Sequence, residues 1–287
     1  NQSFWYNVIG NLEQYNQLNK SSYQKYLRSG PMNYDFTINT SFGKYRILGF
    51  DTTQHIGVKN FLNLFGEAKN TKLNQIESLI HSRDPQEFNH TIAMGHHPIH
   101  QIMSEKSDSG KSFKNLLREA DISAFFDGHV HTDGFHNHGN MVEIMGASFK
   151  DSYTYSICAI DNDMFSISQQ QLDQWPAVVV TNPMDGRLLS SQYLVNNMEK
   201  LGEIRTLIFD EKSITDAHVL IDGQPIGNLT QKQGNLWSVE WDATQYVQGE
   251  HELRVVVSSA SGTTTQEIPF TLRTTQPIAH NSVMQMA

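Results

Sequence analysis

Thr91-Ile92-Ala93-Met94-Gly95-His96-His97-Pro98 is the stretch that decides the fold: an apolar run, a glycine, then two imidazoles. A second stretch repeats the pattern, with Ile122-Ser123-Ala124-Phe125-Phe126-Asp127 leading into Gly128-His129-Val130-His131. Each reads as a buried strand delivering histidines at its carboxyl end, the edge where open α/β sheets hold their ligands. Neutral imidazole ligates zinc, iron, manganese or nickel, so several imidazoles converging on one spot point to a metal. The glycine ahead of each histidine is expected to let the chain turn sharply as its strand ends. The plainer reading stands beside this one: a lone His-x-His on a strand is more often a surface or packing feature. His97, His100, His136 and His138 have no role in the pattern and are expected at the solvent or a pocket rim.

Outward from these two stretches, strands alternate with helices up to about residue 170. Strands are expected at Phe4 to Ile9, Tyr45 to Phe50, Phe88 to Met94, Ile122 to Phe126, Met141 to Met145, Tyr153 to Ile160 and Met164 to Ser168. Lys72 to Ser82 reads as a helix because Leu73, Ile76, Leu79 and Ile80 recur at three- and four-residue spacing, and Lys111 to Ala120 as a shorter one. Parallel crossovers followed by antiparallel strands make a sheet covered by helices. Asp51, at a strand end, reads as a turn cap, and Asn11, after Gly10, as a left-handed turn residue.

Past Trp175-Pro176 the pattern changes to short alternating strands, from Ala177 to Thr181 through Glu267 to Leu272. Asp185-Gly186, Asp222-Gly223, Gln233-Gly234-Asn235, Gln248-Gly249 and Ser261-Gly262 supply the turns. Six or so strands without a helix fit an immunoglobulin-like sandwich, in a fibronectin- or cadherin-like variant because the Cys-Trp-Cys signature is missing. Trp237 and Trp241 read as core anchors. The domains expected are therefore 1–173, an α/β or α+β domain; 174–273, an all-β sandwich; and 274–287, a loose polar tail.

Composition narrows the function classes. A chain of 287 residues can bury a full core, and its formal net charge of −9 argues against nucleic acid as a partner. No apolar run reaches the roughly 18 residues of a membrane helix, so this chain is not expected to insert into a membrane. The single Cys158 excludes an internal disulfide. Sequons at Asn19, Asn39, Asn89 and Asn228 permit a lumenal compartment. The chain opens at Asn1 on an apparent core strand, which reads as a fragment or processed product.

Three blocks, in order and each after a strand, give the chain a family resemblance: Gly10-Asn11-Leu12-Glu13, Gly95-His96-His97-Pro98 and Gly128-His129-Val130-His131. They resemble the calcineurin-like metallophosphoesterases. Together with Asp127 through Gly134, Phe149-Lys150-Asp151, Ile160 through Ser166 and Trp175 through Pro183, the chain looks like the transmembrane protein 62 family over nearly its whole length. The resemblance implies a β-sandwich flanked by helices around a dinuclear centre. Asn11 would be an amide-oxygen ligand, His96 and His129 would share one metal, and His131 would ligate the other. Asp127 and Asp133 would be the partners that orient the rings. Two divalent ions (zinc, iron or manganese) are implied if the family's upstream Asp-x-His and Gly-Asp-x-x-Asp blocks precede Asn1, and none otherwise.

One departure bears on activity. Where the family has a histidine that protonates the leaving group, this chain has Leu12, which can do no proton chemistry; such help is typically worth about 10²–10⁴-fold. Two readings follow: metal-dependent hydrolysis of a phosphate ester, or a catalytically degenerate scaffold that serves protein partners in an assembly. A metal-binding structural module without substrate is the third. The resemblance also implies a lumenal, extracellular or membrane-associated parent protein.

Overall fold

The computed structural model describes residues 6–11, 31–54, 64–190 and 202–272. They form two compact units that divide after Ala147. Among the described residues, no helix is long and apolar enough to cross a membrane.

The first unit runs β1 (Tyr34–Asn39), β2 (Lys44–Gly49), β3 (Gly66–Ala68), α1 (Asn70–His81), β4 (His90–Met94), β5 (Ile102–Ser104), α2 (Phe113–Glu119), β6 (Ile122–Asp127), β7 (Gly134–Asn137) and β8 (Val142–Met145). Six of these strands make one sheet in the order β1-β2-β4-β6-β8-β7. β2, β4, β6 and β8 are parallel, while β1 and β7 close the two edges antiparallel. β3 and β5 form a separate parallel pair. Because β4 and β6 are parallel neighbours, with Met94 opposite Phe126, the two histidine stretches leave the sheet side by side. Their pairing even continues beyond the strands, since Gly95 N–H donates to Phe126 O at 2.9 Å and Gly128 N–H to His96 O at 3.1 Å.

Apolar spacing explains the helices. Leu73, Ile76 and Ile80 of α1 and Phe113, Leu116 and Leu117 of α2 are buried against Leu48, Phe50, Ala93 and Phe125 of the sheet. Each such side chain contributes about 1.5–3 kcal/mol through burial. Ser112 caps α2 in a capping box with Asn115. At the other end of α1, the side chain of Arg46 is fully buried and donates to Ile80 O at 3.1 Å and Leu79 O at 2.7 Å. It thereby adds donors to the carbonyls of the last turn of the helix, while Asp35 Oδ2 at 3.1 Å balances its charge.

The expected first strand is not present in its described part: residues 6–9 are not assigned to a strand. They are held by rings and a side-chain hydrogen bond instead. Tyr6 stacks on Phe36 at a centroid distance of 3.8 Å, and the Tyr34 hydroxyl donates to Asn7 O at 3.1 Å. The sheet edge beside β2 belongs to β1.

The second unit holds α3 (Phe149–Ser152), β9 (Thr154–Asp161), β10 (Met164–Gln171), β11 (Ala177–Asn182), β12 (Glu203–Phe209), β13 (Ile214–Ile221), β14 (Gln224–Asn228), β15 (Thr230–Gln233), β16 (Leu236–Glu240), β17 (Gly249–Ser259) and β18 (Gly262–Leu272). Two four-stranded sheets, β11-β12-β16-β15 and β14-β13-β17-β18, enclose Val178, Val180, Ile204, Val219, Leu253, Val255 and Phe270. Trp241 is buried in this core, and Trp237 packs against it half-buried. β9 and β10 form a hairpin whose two turn residues, Asn162 and Asp163, both have positive φ, as a tight primed turn requires. This hairpin groups with the second unit, not with residues 1–147. Its Gln170 amide explains why: it donates to Val178 O at 2.9 Å and accepts from Val178 N at 3.4 Å, covering the open edge of β11.

Candidate metal centre

His96 and His97 follow β4, His129 follows β6, and Asn11 arrives from the segment before β1. The three bring their polar atoms together. Asn11 Oδ1 lies 2.9 Å from His96 Nε2, and His129 Nδ1 lies 3.1 Å from the same nitrogen. His129 Nε2 is 2.8 Å from the carbonyl of Leu64, so that nitrogen carries the proton and Nδ1 presents its lone pair. One ring nitrogen from each of His96, His97 and His129 lies within 4.8 Å of the other two.

Whether such donors suit a divalent ion can be judged from spacing. Ligand atoms about 2.1 Å from an octahedral ion are separated by about 3.0 Å along each edge. The 2.9 and 3.1 Å separations among Asn11, His96 and His129 match that edge. An amide oxygen with two imidazoles is a mixed O/N set that zinc, manganese or iron accepts. At His96 and His97, protonation does not compete near neutrality. Burial, then the neighbouring His129 and His131, push His96 down to about 4, and burial together with His96 and His129 pushes His97 down to about 3.

His97 departs most from its sequence reading. Expected at the solvent or a pocket rim, it is fully buried. The Thr52 hydroxyl explains its position: Oγ1 accepts the backbone N–H of both His96 and His97 at 3.2 Å and sits 2.9 Å from His97 Nδ1. With both lone pairs engaged, the hydroxyl proton goes to Nδ1, which leaves the His97 proton on Nε2, a buried atom without a hydrogen-bond partner. Thr52 thus organises the whole Gly95–Pro98 turn from a distant part of the chain. Gly66 makes room for it, because a Cβ there would lie 2.8 Å from Thr52 O and 3.0 Å from His97 Cγ.

The turn chemistry is also redistributed. Left-handed backbone falls on His129 (φ 65) and His131 (φ 61), not on the glycine before each motif. Gly95 is needed for close packing instead: a Cβ would meet Thr52 Cγ2 at 2.9 Å and Phe125 Cζ at 3.0 Å, whereas Gly128 faces open space. A histidine in the left-handed region costs of order 1–3 kcal/mol, a cost that concentrates at ligand-holding turns.

The remaining expected residues are placed as follows. His131 is exposed and lies outside the group of three rings, though near enough for its charge to disfavour protonation of His96. Asp133 Oδ1 accepts the N–H of Ala147 at 2.7 Å. Asp127 orients no imidazole, since neither of its buried oxygens has a hydrogen-bond partner of that kind. It faces Glu143, a residue absent from the sequence expectation; burial and then the Glu143 charge push the Asp127 carboxyl upward. His138, expected at a rim, has a buried side chain and sits 2.6 Å from Glu143 Oε2. Asp51 caps a turn as expected, its Oδ1 accepting the Thr53 N–H at 3.0 Å and the Thr53 hydroxyl at 2.6 Å. Leu12 lies outside the described residues.

Comparison with known proteins adds the family. Residues 172–276 match the family described as the TMEM62 Ig-like domain. Mouse transmembrane protein 62 is 30% identical over 273 residues, covering 90% of this chain and 41% of its own length. An Arabidopsis thaliana protein named as a metallophosphoesterase is 28% identical over 183 residues, covering 60% of this chain and 23% of its own. The chain therefore spans well under half the length of either relative. Among solved structures, the Plasmodium inner-membrane-complex anchor GAP50 aligns with 53% of this chain and 50% of its own, at 14% identity and a TM-score of 0.29, too low to carry an argument. With its Ig-like domain matched to that family and nine-tenths of its length aligned to a named member, the chain is similar to the transmembrane protein 62 family along nearly its whole length.

Proposed function

We propose that the first unit is a metallophosphoesterase-like centre in which Asn11, His96 and His129 hold a divalent ion and a phosphate ester is the substrate. The observation carrying this reading is that these side chains come from three separate segments and meet with ligand-like spacing of 2.9 and 3.1 Å. Similarity to a plant protein named as a metallophosphoesterase supports the scaffold. His131 would serve a second ion, completed by ligands from outside this chain's described residues. Such ions, when bound, polarise a phosphoryl oxygen and lower the pKa of water.

The chain's own residues do the rest. Leu64, through its carbonyl oxygen, places the His129 proton on Nε2 and so turns the Nδ1 lone pair toward the centre. Thr52 and Gly66 hold His97 behind the cluster as a buried wall that excludes water. Leu12 has no proton to hand to a leaving group.

That leucine favours a second reading, a degenerate scaffold that serves protein contacts. Turnover of para-nitrophenyl phosphate by the zinc- or manganese-loaded chain separates the two, with Leu12→His alongside. The hydrolytic reading expects slow wild-type turnover and a gain of about 10²-fold or more in the variant, since a general acid is typically worth that much. Inactivity of both, with metal bound, leaves the scaffold reading.

A further inference from the structure

Behind the histidines lies a buried polar chain that the phosphoesterase reading does not use. Lys114 Nζ, from α2, donates to His138 Nδ1 at 3.1 Å, so the His138 proton sits on Nε2 and is given to Glu143 Oε2 at 2.6 Å. The other carboxylate oxygen, Oε1, accepts the backbone N–H of Ile99 at 2.6 Å. Although burial alone would raise it, these two hydrogen bonds hold the Glu143 carboxyl below its ordinary value. Glu143 is only 2% exposed, and Asp127 only 8%.

The placement of the partners gives this charge a purpose. Ile99 ends the turn that begins Gly95-His96-His97-Pro98, and Asp127 begins the turn Gly128-His129. Phe125 is opposite Glu143 in the sheet, so Asp127 stands one pleat beyond it on the same face. One carboxylate therefore holds the first histidine-bearing turn by a hydrogen bond from Ile99 N–H and shares a sheet face with Asp127, which opens the second. A buried charge is expensive unless its hydrogen bonds are complete, and here they come from His138 and from the N–H of Ile99, three residues after His96.

We propose that Glu143 is the positioning residue of the centre, fixing the His96 turn and the His129 turn relative to each other, with His138 and Lys114 as its outer anchor. This rests on the reading that His96 and His129 hold a metal, so the test has one arm that needs no metal. In the first arm, zinc affinity of the full chain is measured by competition with a chromophoric chelator. Glu143→Gln should weaken zinc binding about 10–100-fold, the usual loss when an outer partner of a metal site is removed. Arg46→Met, a buried-charge loss in the same sheet but away from the centre, should lower the melting temperature and leave zinc affinity unchanged. In the second arm, imidazole ¹⁵N spectra of the metal-free chain should show the His96 and His129 ring nitrogens shifted in Glu143→Gln.

Unchanged rings, or zinc affinity that falls equally in Arg46→Met, would overturn the positioning role. A wild-type chain that takes no zinc but whose rings respond to Glu143→Gln would end the metal reading and keep the positioning one. If Glu143→Gln does not fold, His138→Gln removes the anchor and keeps the carboxylate, and the same ring shifts are expected of it; their absence counts against the proposal.

Discussion

Acid should unpick the first unit through His97. In the fold this imidazole is neutral, fully buried and held down to about 3, against 6.5 for an ordinary histidine. A depressed pKa contributes stability that is complete above 6.5 and is lost as pH falls toward the folded value, because the unfolded chain gains a proton the folded one refuses. Between pH 6.5 and about pH 4.5 the difference is about 2 units, at about 1.36 kcal/mol each, or about 2.7 kcal/mol. That is a large share of a typical 5–15 kcal/mol. Carboxylates also titrate in this range, so the informative quantity is the difference between wild type and His97→Phe, which cannot take the proton. Hydrogen exchange of the β4 and β6 amides, followed in chelator from pH 7 to about pH 4.5, reads the first unit separately from the second. The wild type should lose about 2–3 kcal/mol more than the variant below pH 6.5 and the same above it. Parallel pH profiles would refute a buried, neutral His97.

Other consequences are as direct. Arg46→Met removes one partner of a buried ion pair and the cap on α1; because Asp35 keeps Arg83 at 3.2 Å, the loss should fall near the low end of the usual range, about 3 kcal/mol in urea unfolding. Gly66→Ala drives a Cβ against Thr52 O and His97, and should cost about 1–3 kcal/mol as overpacked sites do, while Gly128→Ala should be near neutral. Gln170→Ala strips two hydrogen bonds from the edge of β11 and should destabilise the second unit by about 1–2 kcal/mol in thermal melts. An unchanged melt would mean that solvent serves that edge as well.

The elements legible in the sequence are those whose pattern is local. The apolar runs ending in Gly95-His96 and Gly128-His129 form adjacent parallel strands, and the turn signals after Trp175 bound the strands of the Ig-like domain. Short polar strands such as β7, β14 and β15 lack that pattern, because sheet neighbours rather than composition make them strands. Tyr34–Asn39 does alternate, Tyr34, Phe36 and Ile38 against Asp35, Thr37 and Asn39, yet falls outside the elements expected from sequence. At the site, Asn11, His96 and His129 could be named from motifs. The burial of His97 could not, since it depends on a Thr52 hydroxyl 45 residues away. Glu143 is hidden for a similar reason: only the β6–β8 register brings it beneath Asp127.

If side chains from three segments share one divalent ion, equilibrium dialysis against zinc with elemental analysis should find it on the protein. The full chain should retain at least about one zinc per molecule, as a site built from these ligands would. Asn11→Ala, His96→Ala and His129→Ala should each lower its occupancy while the β-sheet signal in circular dichroism persists. A folded wild-type chain that emerges without metal, or zinc retained undiminished when both His96 and His129 are replaced, would contradict the account.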